Sequence, residues 1–217
     1  MNPNLLPLVK AGNLPNLLAE LNQYFADEQK MRDEFHKWLT PEIKAEFING
    51  ELVLHSPALA RHTRVVTRLT MILEAYSVQH DLGSLFIEKA LVQMPRNSYE
   101  PDLIFYRKEV ADTFSADLML FPVPDWITEV LSPSTEGRDR GVKQEDYAHN
   151  GVQEYWIIDP LAETVEVFIA ENHAWHRQTI YTEGIIRSSV FAGLDLPVRA
   201  VFEDREAQDF LVRLFKK

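Results

Sequence analysis

The sequence predicts an α/β fold in which a mixed central β-sheet is flanked by helices and preceded by an N-terminal helical arm. Three observations predict it. Two strand-like runs flank an Asn49-Gly50 pair, the strongest short-range hairpin signal because both central residues tolerate positive φ. Arg61 to Gln79 follows as an amphipathic helix, its stripe formed by Val65, Val66, Leu69, Ile72, Leu73 and Tyr76. Runs rich in Val, Ile, Trp, Phe and Thr then recur with one helix among them and a second late in the chain, an order that suggests a mixed sheet with helices on its faces.

In the arm, residues 1–41, Leu14, Leu17, Leu18 and Leu21 recur at helical spacing, and Phe35, Trp38 and Leu39 close a second, more charged stretch before Thr40-Pro41. Strands are expected over Ile43–Ile48 and Glu51–Ser56, then over Leu85–Met94, Asp102–Tyr106 and Trp126–Leu131. A helix over Asp139–His149 leads to strands over Glu154–Asp159, Thr164–Ala170 and Trp175–Tyr181, and Glu203–Leu214 closes the chain as a helix. With a two-residue turn, Phe47 faces Leu52 and Ala45 faces Leu54. Glu46 then lies on the other side with Lys44, Val53 and His55, either solvated or aimed into a cleft.

Composition narrows the chemistry. The 217 residues contain no cysteine, which removes disulfide frameworks, thiolate zinc sites, iron–sulfur clusters and thiol nucleophiles. No run is long and apolar enough to span a membrane and no signal peptide is evident, so a cytoplasmic protein is expected. Twenty-two Lys and Arg against 33 Asp and Glu give a net charge of -11, which opposes binding of nucleic acid by the whole surface and demands a local basic patch. With eight Gly and twelve Pro, no low-complexity tract and no internal repeat, residues 42–217 read as one unit.

Two carboxylates stand where apolar residues would cost less. Strand alternation puts Glu129 on the face of Ile127 and Leu131, where an unpaired carboxylate costs several kcal/mol or titrates far above its usual range unless a metal or cation meets it. Asp102 follows Pro101 at a strand mouth. Oxygen ligands on neighbouring strands can share one Mg²⁺, while capping and surface acids are the commoner reading of such residues. The polar segment from Ser132 leaves the Glu129 strand and enters a helix bearing Lys143 and Tyr147 on one face. A lysine there either orients a water and offsets charge or is simply paired or solvated. His62 lies one turn before Val65 and Val66 and points inward. His80 and His149 close helices. His173 and His176 read as surface residues, and Ser132, Ser134 and Thr135 as helix-entry residues.

In order, Glu46-Phe47-Ile48-Asn49-Gly50, Ser56-Pro57, Arg61-His62, Pro101-Asp102-Leu103, Glu129-Val130-Leu131-Ser132-Pro133-Ser134-Thr135, Asp139 to Lys143, Tyr147 and Glu154 to Pro160 resemble the successive blocks of the Uma2 family, or DUF820, over about Glu46 to Leu196. The resemblance implies a restriction endonuclease-like core of the PD-(D/E)XK type that hydrolyses phosphodiesters with Mg²⁺, Mn²⁺ being a possible substitute. Pro101-Asp102 matches the PD element and Glu129-Val130-Leu131 the (D/E)XK element, with Leu131 where that motif has lysine. The family pattern implies that Lys143 supplies the amine, that Asp102, Glu129 and the Val130 carbonyl hold the metal, and that Glu46 and His62 join the catalytic set. Arg61, Arg64 and Arg68, joined by Arg138 and Arg140, form the candidate phosphate-tracking patch on nucleic acid, DNA first, and a solvated helix face suits the first three equally. A homodimer is expected from the family's nuclease character and the apolar arm. Two other readings stand beside the nuclease: a nuclease-fold binding or assembly module without catalysis, and a metal-dependent phosphoesterase acting on small nucleotides.

Overall fold

The computed structural model describes residues 5–216. Residues 1–4 of the expected arm and Lys217 of the expected domain lie outside the described residues. The arm is a short turn of helix, α1 (Leu6–Val9), and one unbroken helix, α2 (Leu14–Trp38), with a proline in its first turn and an extended Leu39 at its end. Only the second half of α2 docks: Phe35 and Leu39 pack on Ala45, Phe47 and Leu91. Arg32 donates to the Met94 carbonyl at 2.7 Å, and Arg96 holds Glu28 by two hydrogen bonds of 2.8 and 2.9 Å. Residues 5–27 contain no buried side chain.

Strands β1 (Ala45–Ile48) and β2 (Glu51–Leu54) form the expected hairpin, with Asn49 at φ 51° and Gly50 at φ 86°. Ala45 pairs with Leu54, Glu46 with Val53 and Phe47 with Leu52, the register the turn dictates. The run read as one strand over Leu85–Met94 is two, β3 (Gly83–Ile87) and β4 (Leu91–Gln93), because Glu88 and Lys89 take positive φ and turn the chain from one sheet into another. With β5 (Ser98–Tyr99) and β7 (Leu120–Phe121), β4 and the hairpin make a five-stranded sheet in the order β2-β1-β5-β4-β7.

The larger sheet is mixed. Strands β6 (Leu103–Arg107), β8 (Trp126–Val130), β9 (Glu154–Asp159), β10 (Thr164–Glu171) and β11 (Ala174–Tyr181) join β3 in the order β11-β10-β9-β8-β6-β3. All neighbours are antiparallel except β8 and β9, and one turn of helix, α4 (Lys108–Ala111), follows β6. A parallel pair needs a crossover, supplied here by α5 (Glu136–Asp139) and α6 (Val142–His149). The single helix expected from Asp139 is therefore two, broken at Arg140-Gly141. A Cβ on Gly141 would stand 2.8 Å from the Gly137 carbonyl oxygen, so only glycine allows that turn.

Side-chain alternation divides the large sheet between two cores. Leu103, Phe105, Trp126, Val130, Trp156 and Ile158 meet the apolar stripe of α3 (Ala60–His80), together with α7 (Arg199–Phe202), α8 (Asp204–Phe215) and the hairpin β12 (Ile185–Arg187) and β13 (Asp195–Pro197). Ile104, Tyr106, Ile127, Leu131, Tyr155 and Ile157 meet Ile48, Val92 and Tyr99 of the small sheet and Tyr147 of α6. Each such aliphatic or aromatic side chain contributes about 1.5–3 kcal/mol on full burial. Glu129 belongs to this second face, so the architecture closes apolar surfaces around a carboxylate. Among the described residues no helix is long and apolar enough to cross a membrane.

Candidate active site

Three elements, β1, β8 and α5, converge on one amine carried by a fourth, α6. The crossover returns α6 over the end of β8, and the Lys143 amine sits 3.0 Å from Glu129 Oε1, 2.9 Å from Glu46 Oε1 and 3.3 Å from Asp139 Oδ1. Tyr147, one turn on, donates to the same Glu129 oxygen at 2.8 Å. Glu46 comes from the small sheet and also accepts the Glu100 backbone N–H at 2.9 Å, while His55 Nε2 stands 3.4 Å from its other oxygen. Asp102 Oδ2 accepts the Val130 N–H at 2.7 Å and lies 3.1 Å from His62 Nε2 at the start of α3. Asp102, Glu129, Val130, Lys143, His55 and His62 line one cleft of about 500 Å³.

The five residues expected to carry chemistry, Glu46, His62, Asp102, Glu129 and Lys143, are thus brought together and buried. Glu46 is fully buried, so the solvated alternative fails, and its carboxyl meets Lys143 behind the cleft wall without lining the cleft itself. Leu131 N–H bonds to the Ile158 carbonyl in β9. Backbone groups alternate edges along a strand, so those of Val130 face the other way, toward Asp102.

Three carboxyls, Glu46, Glu129 and Asp139, meet a single lysine with a fourth, Asp102, close enough to add its charge to theirs, and the electrostatics follow from that imbalance. Burial drives the Glu129 carboxyl well above its usual range against the pull of Lys143, with Asp139, Asp102 and Glu46 adding to the rise. Asp139 is raised for the same leading reason. Burial opposes ionisation of Glu46 too, but Lys143 and His55 outweigh it and hold that carboxyl down at about 2. Lys143 loses by burial and gains more from Glu129, Glu46 and Asp139, so it stays charged. Burial also lowers His62, and Asp102 more than reverses this. Glu100, at the cleft wall, is pushed up to about 7, chiefly by burial.

Glu100 carries no sequence signal, and Asp139 and His55, placed at a helix start and beside Glu46, are not singled out as site residues by the sequence. The i,i+4 spacing of Asp139 and Lys143 was the available signal for Asp139. The basic patch is dispersed. Arg68 is buried and bonded to Asp204 at 2.6 Å, and Arg64 approaches the same carboxylate at 3.7 Å, so these two tie α3 to α8. Arg140 is paired with Glu136 and Glu166. Arg61 is exposed, and Arg138 lines the cleft. His80 and His149 end α3 and α6, and His173 and His176 are exposed.

Glu46 Oε2 and Asp139 Oδ1 are buried without a hydrogen bond, met only by the longer ion-pair approaches of His55 at 3.4 Å and Lys143 at 3.3 Å, so the acid cluster is short of positive charge. Among the described residues no three His, Asp or Glu side chains converge within ligating reach of one point. The donors that the cleft offers, Asp102 and Glu129, are oxygens, the ligand type that Mg²⁺ takes one or two at a time while keeping several waters.

A mixed sheet with a parallel crossover that lays a lysine over strand-end carboxylates defines a restriction endonuclease-like fold. The chain belongs to the Uma2 family, described as "Putative restriction endonuclease", whose profile matches residues 32–199. A solved structure from Anabaena variabilis, described as "a putative nuclease belonging to DUF820", is similar with a TM-score of 0.68 and 19% identity, over 82% of this chain and 97% of that one. The type IIG restriction endonuclease BpuSI matches with a TM-score of 0.38 and 13% identity, over 74% of this chain and 18% of that one, a likeness too slight to argue from. No curated protein matches the chain.

Proposed function

We propose that this protein is a Mg²⁺-dependent nuclease that hydrolyses phosphodiester bonds, of DNA in the first instance. The observation that carries the reading is the buried cluster of three carboxyls on Lys143, beside a cleft lined by Asp102, Glu129 and Lys143. Asp102, Glu129 and the Val130 carbonyl would hold the metal. Bound there, Mg²⁺ or Mn²⁺ supplies polarisation of the phosphate and a lowered pKa for a water. Lys143 keeps its proton and offsets negative charge beside the strand end, Tyr147 orients the Glu129 carboxyl, and His62 fixes the Asp102 carboxyl. Glu46 anchors the amine from the opposite sheet.

Calorimetric titration of Mg²⁺ and Mn²⁺ into the wild type and Glu129→Gln, with plasmid and single-strand cleavage on both, tests this. Metal binding and cleavage that vanish together in the variant are expected. A wild type that binds no metal overturns the reading and leaves a nuclease-shaped binding module.

The apolar stripe left exposed on α2, Leu18, Leu21 and Phe25, supports pairing of two copies through their arms. Sedimentation of the intact chain against Leu21→Ser/Phe25→Ser tests it, a dimer becoming a monomer in the variant.

A further inference from the structure

We propose that Arg138 is a phosphate-binding residue of the cleft, gripping a substrate phosphate beside the carboxylate cluster. The inference rests on the nuclease reading of that cleft. In a chain with 33 carboxylates and 22 cations, a half-buried arginine is normally paired. Its neighbour Arg140 is bonded to two glutamates, whereas Arg138 has no carboxylate within salt-bridge distance among the described residues, and its Nε is buried with no hydrogen-bond partner. A buried donor left unmet carries a desolvation cost that a ligand would remove. The other arginines without a carboxylate partner among the described residues are exposed or, like Arg32, whose Nε is likewise buried and unbonded, spend their remaining nitrogens on a backbone carbonyl and a glutamine.

The surroundings specify an anion with several oxygens. Arg138 shares its wall of the cleft with Ser132, Ser134 and Thr135. Ser132 Oγ lies 3.1 Å from Ser134 Oγ and 3.0 Å from Thr135 Oγ1, and Thr135 Oγ1 stands 3.5 Å from the Ser132 carbonyl; hydroxyls rotate, so these donors can turn from one another to an anion. The segment is held still: Tyr155 donates to the Asp139 carbonyl at 3.1 Å, and the Arg138 N–H bonds to Thr135 at 2.8 Å. Asp139 is turned to Lys143 and Arg140 to Glu166, and Arg138, the residue just before them, is the one presented to the cleft. A planar guanidinium with hydroxyls beside it matches phosphate, and its fork is what a lysine lacks.

The test is binding of a short fluorescein-labelled oligothymidylate in EDTA across a salt series, for the wild type, Arg138→Ala and Arg138→Lys. Alanine is expected to weaken binding roughly 10- to 100-fold and to lower the salt slope by about one. Lysine is expected to keep the slope and lose part of the affinity. Mg²⁺ titration of each variant should give the wild-type affinity. Should alanine fail to fold, the lysine variant carries the test. A variant that binds the oligonucleotide as well as the wild type, or that loses Mg²⁺ affinity in step with it, overturns the proposal. The two readings separate cleanly: cleavage undiminished in Arg138→Ala removes the phosphate site and leaves the nuclease, whereas Arg138-dependent binding without cleavage by the wild type removes the nuclease and leaves the site.

Discussion

Lys143 Nζ lies 3.0 Å from Glu129 Oε1 although fourteen positions of chain separate them. In the written PD-(D/E)XK pattern the lysine follows the acid by two residues on the same strand, where this chain has Leu131. Leu131 packs into the core between the sheets, and the amine arrives instead on the crossover helix. A parallel strand pair makes that possible, because its connection must pass back over the strand it leaves.

Removing that amine strands three carboxyls. Lys143→Ala is expected to destabilise the fold by about 3–5 kcal/mol, the cost of breaking a buried ion pair from one side. Combining it with Glu129→Gln should restore part of the loss. Urea unfolding of both single variants and the double variant gives the coupling, and additive effects would show that the two groups act independently.

Metal binding should stabilise the native state and leave the unfolded chain untouched. With Mg²⁺ at a hundredfold excess over its dissociation constant, about 2.7 kcal/mol of added stability is expected. Asp102→Asn should abolish it. Thermal melts with increasing Mg²⁺ check this, and an equal shift in the variant would remove Asp102 from the ligand set.

Arg68 serves α8 rather than a substrate. Arg68→Ala is expected to cost about 1–2 kcal/mol through its lost bond to Asp204 and lost packing, while plasmid cleavage at a temperature where the variant is folded stays at the wild-type rate. A variant that is fully stable but cannot bind DNA would return Arg68 to the phosphate-tracking set.

Docking of the arm helix should be acid-labile. The bonds from Arg96 hold the Glu28 carboxyl below its usual 4.5 despite opposing burial. The unfolded chain therefore takes up a proton here before the folded one does. The stabilisation is complete above the unfolded value near 4.5 and is lost as pH falls through the lowered folded value. Glu28→Gln should cost about 1–2 kcal/mol at neutral pH and remove this part of the acid dependence. Unfolding measured from pH 7 down to pH 3 reads it, and parallel pH profiles for the two proteins would disprove the role.

Much of this was legible in the chain because local rules settle it. Asn49-Gly50 fixes a type I′ turn, the turn fixes the hairpin register, and the register puts Glu46 opposite Val53, off the face of Phe47. Period-two alternation likewise sets Glu129 beside Ile127 and Leu131 on one face, and the polar segment after it sets Lys143 on a helix leading back. What was not legible depends on distant partners. Asp204, which turns Arg68 from a surface charge into a tie between helices, lies 136 residues away. Strands β5 and β7 are two residues long and have no periodicity to detect. The split of Leu85–Met94 rests on positive φ at Glu88 and Lys89, neither a residue type that announces it.

The acids and the amine reach their meeting point on β1, β8, α5 and α6, with Asp102 at the mouth of β6 and His62 from α3. No stretch of chain shorter than the span from Glu46 to Lys143 contains them all, and no single sheet does. Such a constellation exists only while both layers are seated on each other. Loosening the layers by a few ångströms would scatter it with every helix and strand still formed, so catalytic competence would report native packing more strictly than far-UV dichroism does. An expanded acid state of this protein should therefore look folded and be inert.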